Sequence, residues 1–151
     1  MFSSQDKLFM ERAIELAKES FDDGEVPVGA VIVQNETIIG EGKNKVIFEN
    51  DVTSHAEINA IRAASKKIKN YRLNDCSMYV TLEPCHMCAK AAVDARMSSI
   101  IFAASEPKTG SIISIDNFFD KKELNHNPKY QHGLLKDESS MLLKDFFRLR
   151  R

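Results

Sequence analysis

"MYVTLEPCHMCAKAAVDARMSSIIFAA", residues 78–104, decides the fold. Its opening run Met78–Leu82 is rich in residues that suit a pleated strand, and Ser99–Ala104 ("SIIFAA") reads the same way. Between them, residues from about Cys85 to Arg96 carry a helical pattern, with Pro84 fitting the first helical position. Strands that alternate with helices imply parallel pairing through right-handed crossovers, with helices over both sheet faces. An α/β fold follows.

Upstream, a helix is expected from Ser54 to about Lys67. Before it, "VPVGAVIV" (Val26–Val33) and "TIIGEGKN" (Thr37–Asn44) are separated by the polar "QNE" and read as a hairpin. Ser3 and Asp6 make a capping-box pattern, after which Phe9, Ala13, Leu16, Ala17 and Ser20 recur at helical spacing until Gly24. Downstream, residues 106–133 are the least legible and read as loop with a short strand or helix. A last helix from Leu134 carries Leu135, Leu142, Phe146 and Leu149, and ends on "RLRR".

The chain has 151 residues, without repeats or a Gly/Ser/Pro-rich linker, which fits a single domain over 1–151. A formal net charge of −1 excludes a general attraction for nucleic acid, so any such surface must be a local patch. The amino terminus has no apolar secretory core, and no segment approaches the ~18 apolar residues of a membrane span. These features suggest a cytoplasmic protein. Of three cysteines, two form Cys-x-x-Cys and Cys76 is left over, which in a reducing compartment suggests metal or redox chemistry more than disulfides.

"CHMC" alone serves structural zinc sites, redox pairs and chance helix cysteines alike. At a helix start, however, unpaired N–H groups favour thiolate, and the i, i+3 spacing of Cys85 and Cys88 puts both sulfurs on one face. Two thiolates are half of what zinc wants: a structural site needs two more ligands, a catalytic site one more and a water. His55, at the other helix start that follows a strand, is the best third candidate. Two observations oppose it. Ser54-His55-Ala56-Glu57 is itself a capping box, and positions i and i+2 point to nearly opposite sides of a regular helix. Both side chains can address one centre only if His55 lies at the first residue of the helix. The joint occurrence decides: H-x-E followed by P-C-x-x-C, each after a strand and opening a helix, is the zinc-deaminase signature. One imidazole and two thiolates would hold one Zn²⁺ per chain and leave a fourth position for water, whose pKa falls from ~16 toward ~7. Glu57 would then move protons.

"EVPVGAVIV", "GEGKN", "HAEINA", "YRLNDCSMYVTLEPCHMCAKAAV", "KTG" and "DFFRLRR" resemble, in this order and over nearly the whole chain, segments of the bacterial tRNA-specific adenosine deaminases. The resemblance implies a three-layer α/β/α sandwich on a mixed, largely parallel sheet of about five strands. It implies conversion of wobble adenosine to inosine in a tRNA anticodon stem-loop, and a homodimer with active sites near its interface. His55, Cys85 and Cys88 would bind zinc and Glu57 would shuttle protons. Asn44, with the backbone around Ala56 and Leu82, would hold the base and its ribose, while Glu106 and Lys108 fall in a loop that contacts anticodon nucleotides. Arg148, Arg150 and Arg151 are the densest positive cluster available to an RNA. Lys90 stands where that family commonly has glycine, and Glu106 where it usually has aspartate. Two alternatives remain at this point: a free-base deaminase of guanine or cytosine type, and a non-catalytic zinc or RNA-binding relative, against which an intact Glu57 argues. Lys66, Lys67, Lys69 and Arg72 read as a solvated helix end, Cys76 as a small core residue, and His86, His126 and His132 as lying outside the site.

Overall fold

The structure is a computed structural model that describes residues 1–150. Its centre is one five-stranded sheet in the order β2-β1-β3-β4-β5, built from β1 (Gly29–Gln34), β2 (Thr37–Lys43), β3 (Cys76–Leu82), β4 (Ser99–Ala104) and β5 (Lys129–His132). β1 and β2 form the expected hairpin. Its two turn residues, Asn35 and Glu36, have φ of 50° and 62°, the left-handed pair that matches the twist of two flanking strands. β1 is antiparallel to both β2 and β3, whereas β3, β4 and β5 are mutually parallel. Four strands therefore share one direction and β1 opposes them, a mixed and largely parallel sheet. This is the expected mixed sheet: the two-residue connection makes β1 antiparallel to β2, and the strands reached through helices run parallel.

Helices cover both faces. α1 (Ser4–Asp22) and α5 (Lys136–Leu149) lie on one, where Met10, Ala13 and Leu16 meet Val31, Val33, Tyr79 and Ile101. α3 (Ala56–Ile68) and α4 (His86–Asp94) lie on the other, where Ala56, Ala60, Ala89 and Ala92 meet Ala30, Ile32, Met78, Val80 and Phe102. Successive β1 residues thus enter opposite layers, which is why a strand buried on both faces reads as a continuous apolar run. The α3 layer sits very close to β2. A Cβ added at Gly42 would lie 2.2 Å from the Ala56 carbonyl oxygen and 2.4 Å from the Ala60 nitrogen. Glycine there lets the first turn of α3, which carries the candidate site, press directly on the strand.

Local signals hold at the amino terminus: Ser3 and Asp6 exchange both bonds of a capping box, at 2.9 and 3.0 Å. Residues 106–133 contain a 3₁₀ turn at Phe118–Asp120 besides β5, as read. α5 begins two residues later than expected, after Leu135 in a left-handed conformation with φ of 55°. Its apolar stripe ends at the buried Phe146, and Leu149 is 69% exposed. A short helix α2 (Val46–Glu49) was not legible, since four residues carry no periodicity and its support comes from a distant carboxylate.

Candidate metal centre and active site

β2 and β3 run in the same direction, so the helices that follow them, α3 and α4, start at the same edge of the sheet. His55 is the N-cap of α3 (φ −77°, ψ 154°) and Cys85 the N-cap of α4 (φ −76°, ψ 176°), both extended and neither capping with its side chain. Pro84 therefore precedes the cap and is not the first helical residue. The Ser54–Glu57 capping box does not form either: the Ser54 hydroxyl donates to Glu49 Oε1 and accepts from Asn59 Nδ2 at 3.1 Å. With His55 outside the helix proper, its imidazole is free of helical rotation. The conflict between positions i and i+2 disappears, and His55 and Glu57 face one cavity.

The three candidate ligands converge. His55 Nδ1 lies 3.7 Å from Cys85 Sγ and 3.6 Å from Cys88 Sγ, and all three ligand atoms lie within 4.8 Å of one another. Zinc bonds of about 2.3 Å to sulfur and about 2.0–2.1 Å to nitrogen, at a tetrahedral angle, put N and S about 3.6 Å apart. Spacing and donor set both fit that ion with one position left over. The two thiols do not titrate alike. Hydrogen bonding from Cys88 and then His55 lowers Cys85 to about 4, while the bond to Cys85 and burial push Cys88 far up. Without metal the sulfurs thus share one proton, which a bound dication must expel. Metal affinity should therefore rise with pH, by about tenfold per pH unit for each proton released on binding. Competition with a chelator across pH checks this, and a pH-independent affinity would contradict it.

Glu57 is 5% exposed, and burial raises its carboxyl to about 7, opposed by the hydrogen bond from its own backbone N–H and then by the nearby His55. A group that gains and loses a proton near neutrality suits general acid–base work. It opens on a cavity of about 320 Å³ whose wall includes His55, Ala56, Cys85, Leu82, Asn44 and Glu106. That is the low end of the volumes that hold small ligands. Cys88, 1% exposed, closes the centre from behind.

The matching family model is that of the MafB19-like deaminases, over residues 3–151. Among curated relatives, the tRNA-specific adenosine deaminase of Haemophilus influenzae is 47% identical over 150 residues, spanning 99% of this chain and 87% of that protein. That of Aquifex aeolicus is 42% identical over 140 residues, spanning 93% and 92%. The chain belongs to the tRNA-specific adenosine deaminases. A tRNA:A34 deaminase of solved structure, studied for A-to-I editing at the wobble position, superposes with a TM-score of 0.88 at 40% identity, covering 90% of this chain and 99% of that one.

Other residues of this deaminase that were expected near substrate are more scattered. Asn44 is in the cavity wall, its amide donating to the Val26 carbonyl at 3.1 Å and its Oδ1 accepting from Val46 N at 3.4 Å. Glu106 reaches the wall too, and its Oε1 accepts from the backbone N–H of the exposed Lys108 at 2.9 Å. Arg148 pairs with Asp145 at 3.1 Å. Arg150 donates to the Gly24 carbonyl at 2.6 Å and lies 4.6 Å from the Phe146 ring centroid. Neither arginine lines the cavity, and Arg151 lies outside the described residues. Lys66, Lys67, Lys69 and Arg72 are exposed and Cys76 is buried, as read. His86 pairs with Asp116 at 3.2 Å, His126 meets the Met97 carbonyl, and His132 stacks on Phe102. Lys90 pairs with Asp94 one helical turn on.

Two buried carboxylates escaped the sequence reading, Glu25 and Glu83, 2% and 3% exposed. Glu25 accepts from the N–H groups of Ile47 and Phe48 at 3.0 and 2.8 Å and so fixes α2 at the cavity mouth. Glu83 accepts from the N–H groups of Glu106, Ile112, Ile113 and Ser114 at 2.8–3.1 Å, and from the Ser114 hydroxyl. It ties the loop bearing Glu106 to the turn before Cys85. Gly110 makes room, since a Cβ there would fall 2.3 Å from the Glu83 carboxyl carbon. No spacing signals such a pair; the only cue was an acidic residue beside the "PC" of the motif. Glu83→Ala strands several buried N–H groups and should cost about 3–5 kcal/mol, a drop of roughly 10 °C in melting temperature. A loss under about 1 kcal/mol in denaturant titration would show that the loop holds itself.

Proposed function

We propose that the protein hydrolytically deaminates adenosine to inosine at the wobble position of a tRNA anticodon, with one zinc per chain held by His55, Cys85 and Cys88. The single observation that carries the reading is the convergence of those three ligand atoms beside a cavity lined by His55, Cys85 and Glu57, in a chain of this family. When bound, zinc supplies a Lewis acid that brings the pKa of water to about 7. Glu57 accepts one proton from the attacking water and delivers it to the ring nitrogen beside the attacked carbon; it then takes the second proton from the newly added hydroxyl and passes it to the amine, so that the C–N bond breaks, ammonia leaves and the carbon keeps the oxygen as a carbonyl. In the metal-free site burial raises the Glu57 carboxyl to about 7, which suits a group that must both take and give a proton.

Asn44 and the backbone at Ala56 and Leu82 frame the base and ribose, and Val26 and Val28 give the cavity its apolar wall. Glu106 and Lys108 would meet neighbouring anticodon nucleotides. Arg148, Arg150 and Arg151 would follow phosphates farther along the stem-loop, as a chain of net charge −1 requires of its few concentrated cations. We further propose that the chain is one catalytic domain, works as a homodimer, and acts in the cytoplasm, where tRNA is found. No described helix is long and apolar enough to cross a membrane.

The test is a comparison of substrates. Metal-loaded protein is incubated with an anticodon stem-loop carrying adenosine at the wobble position, and separately with free adenine, guanine and cytosine. Inosine in the digested stem-loop with no comparable turnover of the bases is the expected result. Preference for a free base would replace the RNA reading with the free-base alternative.

A further inference from the structure

The mouth of the cavity carries a feature that the proposed chemistry does not use. Ile47 and Phe48 of α2 and Val52 just beyond it are 65%, 78% and 78% exposed, and Ile47 also lines the cavity. We infer that the Phe48 ring, with Lys45 beside it, is a stacking platform for the RNA base next to the one in the cavity; this rests on the reading of an RNA loop as substrate.

Three observations support it. The platform is rigid. The Ile47 and Phe48 N–H groups are fixed on the buried Glu25 carboxylate, Lys45 N donates to the Ser54 carbonyl at 3.0 Å, and α2 closes on Asn50 in a left-handed conformation with φ of 51°. It is cationic: Lys45 Nζ stands 5.9 Å from the Phe48 ring centroid and takes part in none of the ion pairs among the described residues. The acidic groups of the same segment are occupied, Glu49 with the Ser54 hydroxyl and Asp51 with the N–H and hydroxyl of Thr53 at 2.8 and 2.7 Å. An open aromatic face with a spare lysine, one residue from a nucleoside-sized cavity, suits an unstacked base and its phosphate. Loop bases are held in this way whatever their identity, because every base has a π-face.

Steady-state kinetics of the metal-loaded protein on the anticodon stem-loop test this. Phe48→Ala should raise KM about tenfold, the loss of one base stack, and leave kcat within about twofold, with Phe48→Tyr near wild type. Lys45→Gln should lower the salt slope of log KM by about 0.7, the share of one phosphate on a single strand. The deciding arm uses stem-loops with an abasic nucleotide on one or the other side of the adenosine. At one of these positions wild type should lose the same factor, and Phe48→Ala should lose nothing more. An unchanged KM in Phe48→Ala, or equal losses by Phe48→Ala on intact and on both abasic RNAs, overturns the platform while leaving the deaminase reading standing. A shift of particle mass toward the monomer in Phe48→Ala would assign the ring to a contact between copies and also overturns it. Wild type inert on the intact stem-loop would remove the RNA reading, and the platform with it.

Discussion

Glu57→Gln should lower kcat by about 10²-fold or more while metal content stays near one per chain. The amide keeps the size of the side chain and removes only its capacity to carry a proton. Were Glu57 a helix cap, glutamine would serve nearly as well. The reciprocal box with Ser54 does not form, since the Ser54 hydroxyl bonds the side chains of Glu49 and Asn59 and no backbone N–H of α3. Because the carboxyl is buried and raised to about 7, the variant also relieves a cost. In the metal-free protein, a carboxyl with a folded pKa above its unfolded value contributes most below the unfolded pKa of 4.5, and that contribution is lost as pH rises to about 7. Metal-free Glu57→Gln should therefore gain stability relative to wild type as pH rises from 4.5 to about 7, and hold that gain above it. Near-normal turnover in this variant would contradict the role given to Glu57.

His55→Ala and Cys88→Ala should each lose most of the bound metal and all measurable deamination, whereas Cys76→Ala should keep both. A centre of three protein ligands has none to spare. Cys76, 0% exposed, sits in the core at the start of β3, bonded through sulfur to the Asn74 carbonyl. The loss should also be thermodynamic. An ion present at about a thousand times its dissociation constant stabilises the folded state by about 4 kcal/mol, roughly 10 °C for a chain of this size. Chelation should lower the melting temperature of wild type by that amount and leave Cys88→Ala unmoved. Metal retained without His55, or lost without Cys76, would mean that the ligands are wrongly assigned.

The parts of this site that sequence revealed are those that chemistry constrains to fixed spacing. Cys85 and Cys88 one turn apart, and His55 two residues before Glu57, are legible because a metal and a proton carrier need those atoms at those places. The strands β3 and β4 are legible because burial on both faces leaves short runs dominated by apolar residues. β1 read as a strand for the same reason, but its antiparallel pairing with β3 is set by sheet order, which no local pattern records. Glu25 and Glu83 were missed because their partners are backbone N–H groups 22 to 31 residues away, invisible in composition. The Ser54–Glu57 capping box was a false signal for the converse reason: the local pattern was present, but Glu49 and Asn59 had claimed the Ser54 hydroxyl. Arg150 was read as an RNA contact from charge alone, and in the fold part of its guanidinium is occupied by the Gly24 carbonyl.

The most direct measurement follows inosine by mass spectrometry in two stem-loops of identical composition, incubated with metal-loaded protein. One carries its single adenosine at the wobble position, the other carries it one nucleotide away. Inosine in the first, absent from the second and abolished by Glu57→Gln, is the expected result. Equal conversion of both, or conversion that survives Glu57→Gln, would contradict it.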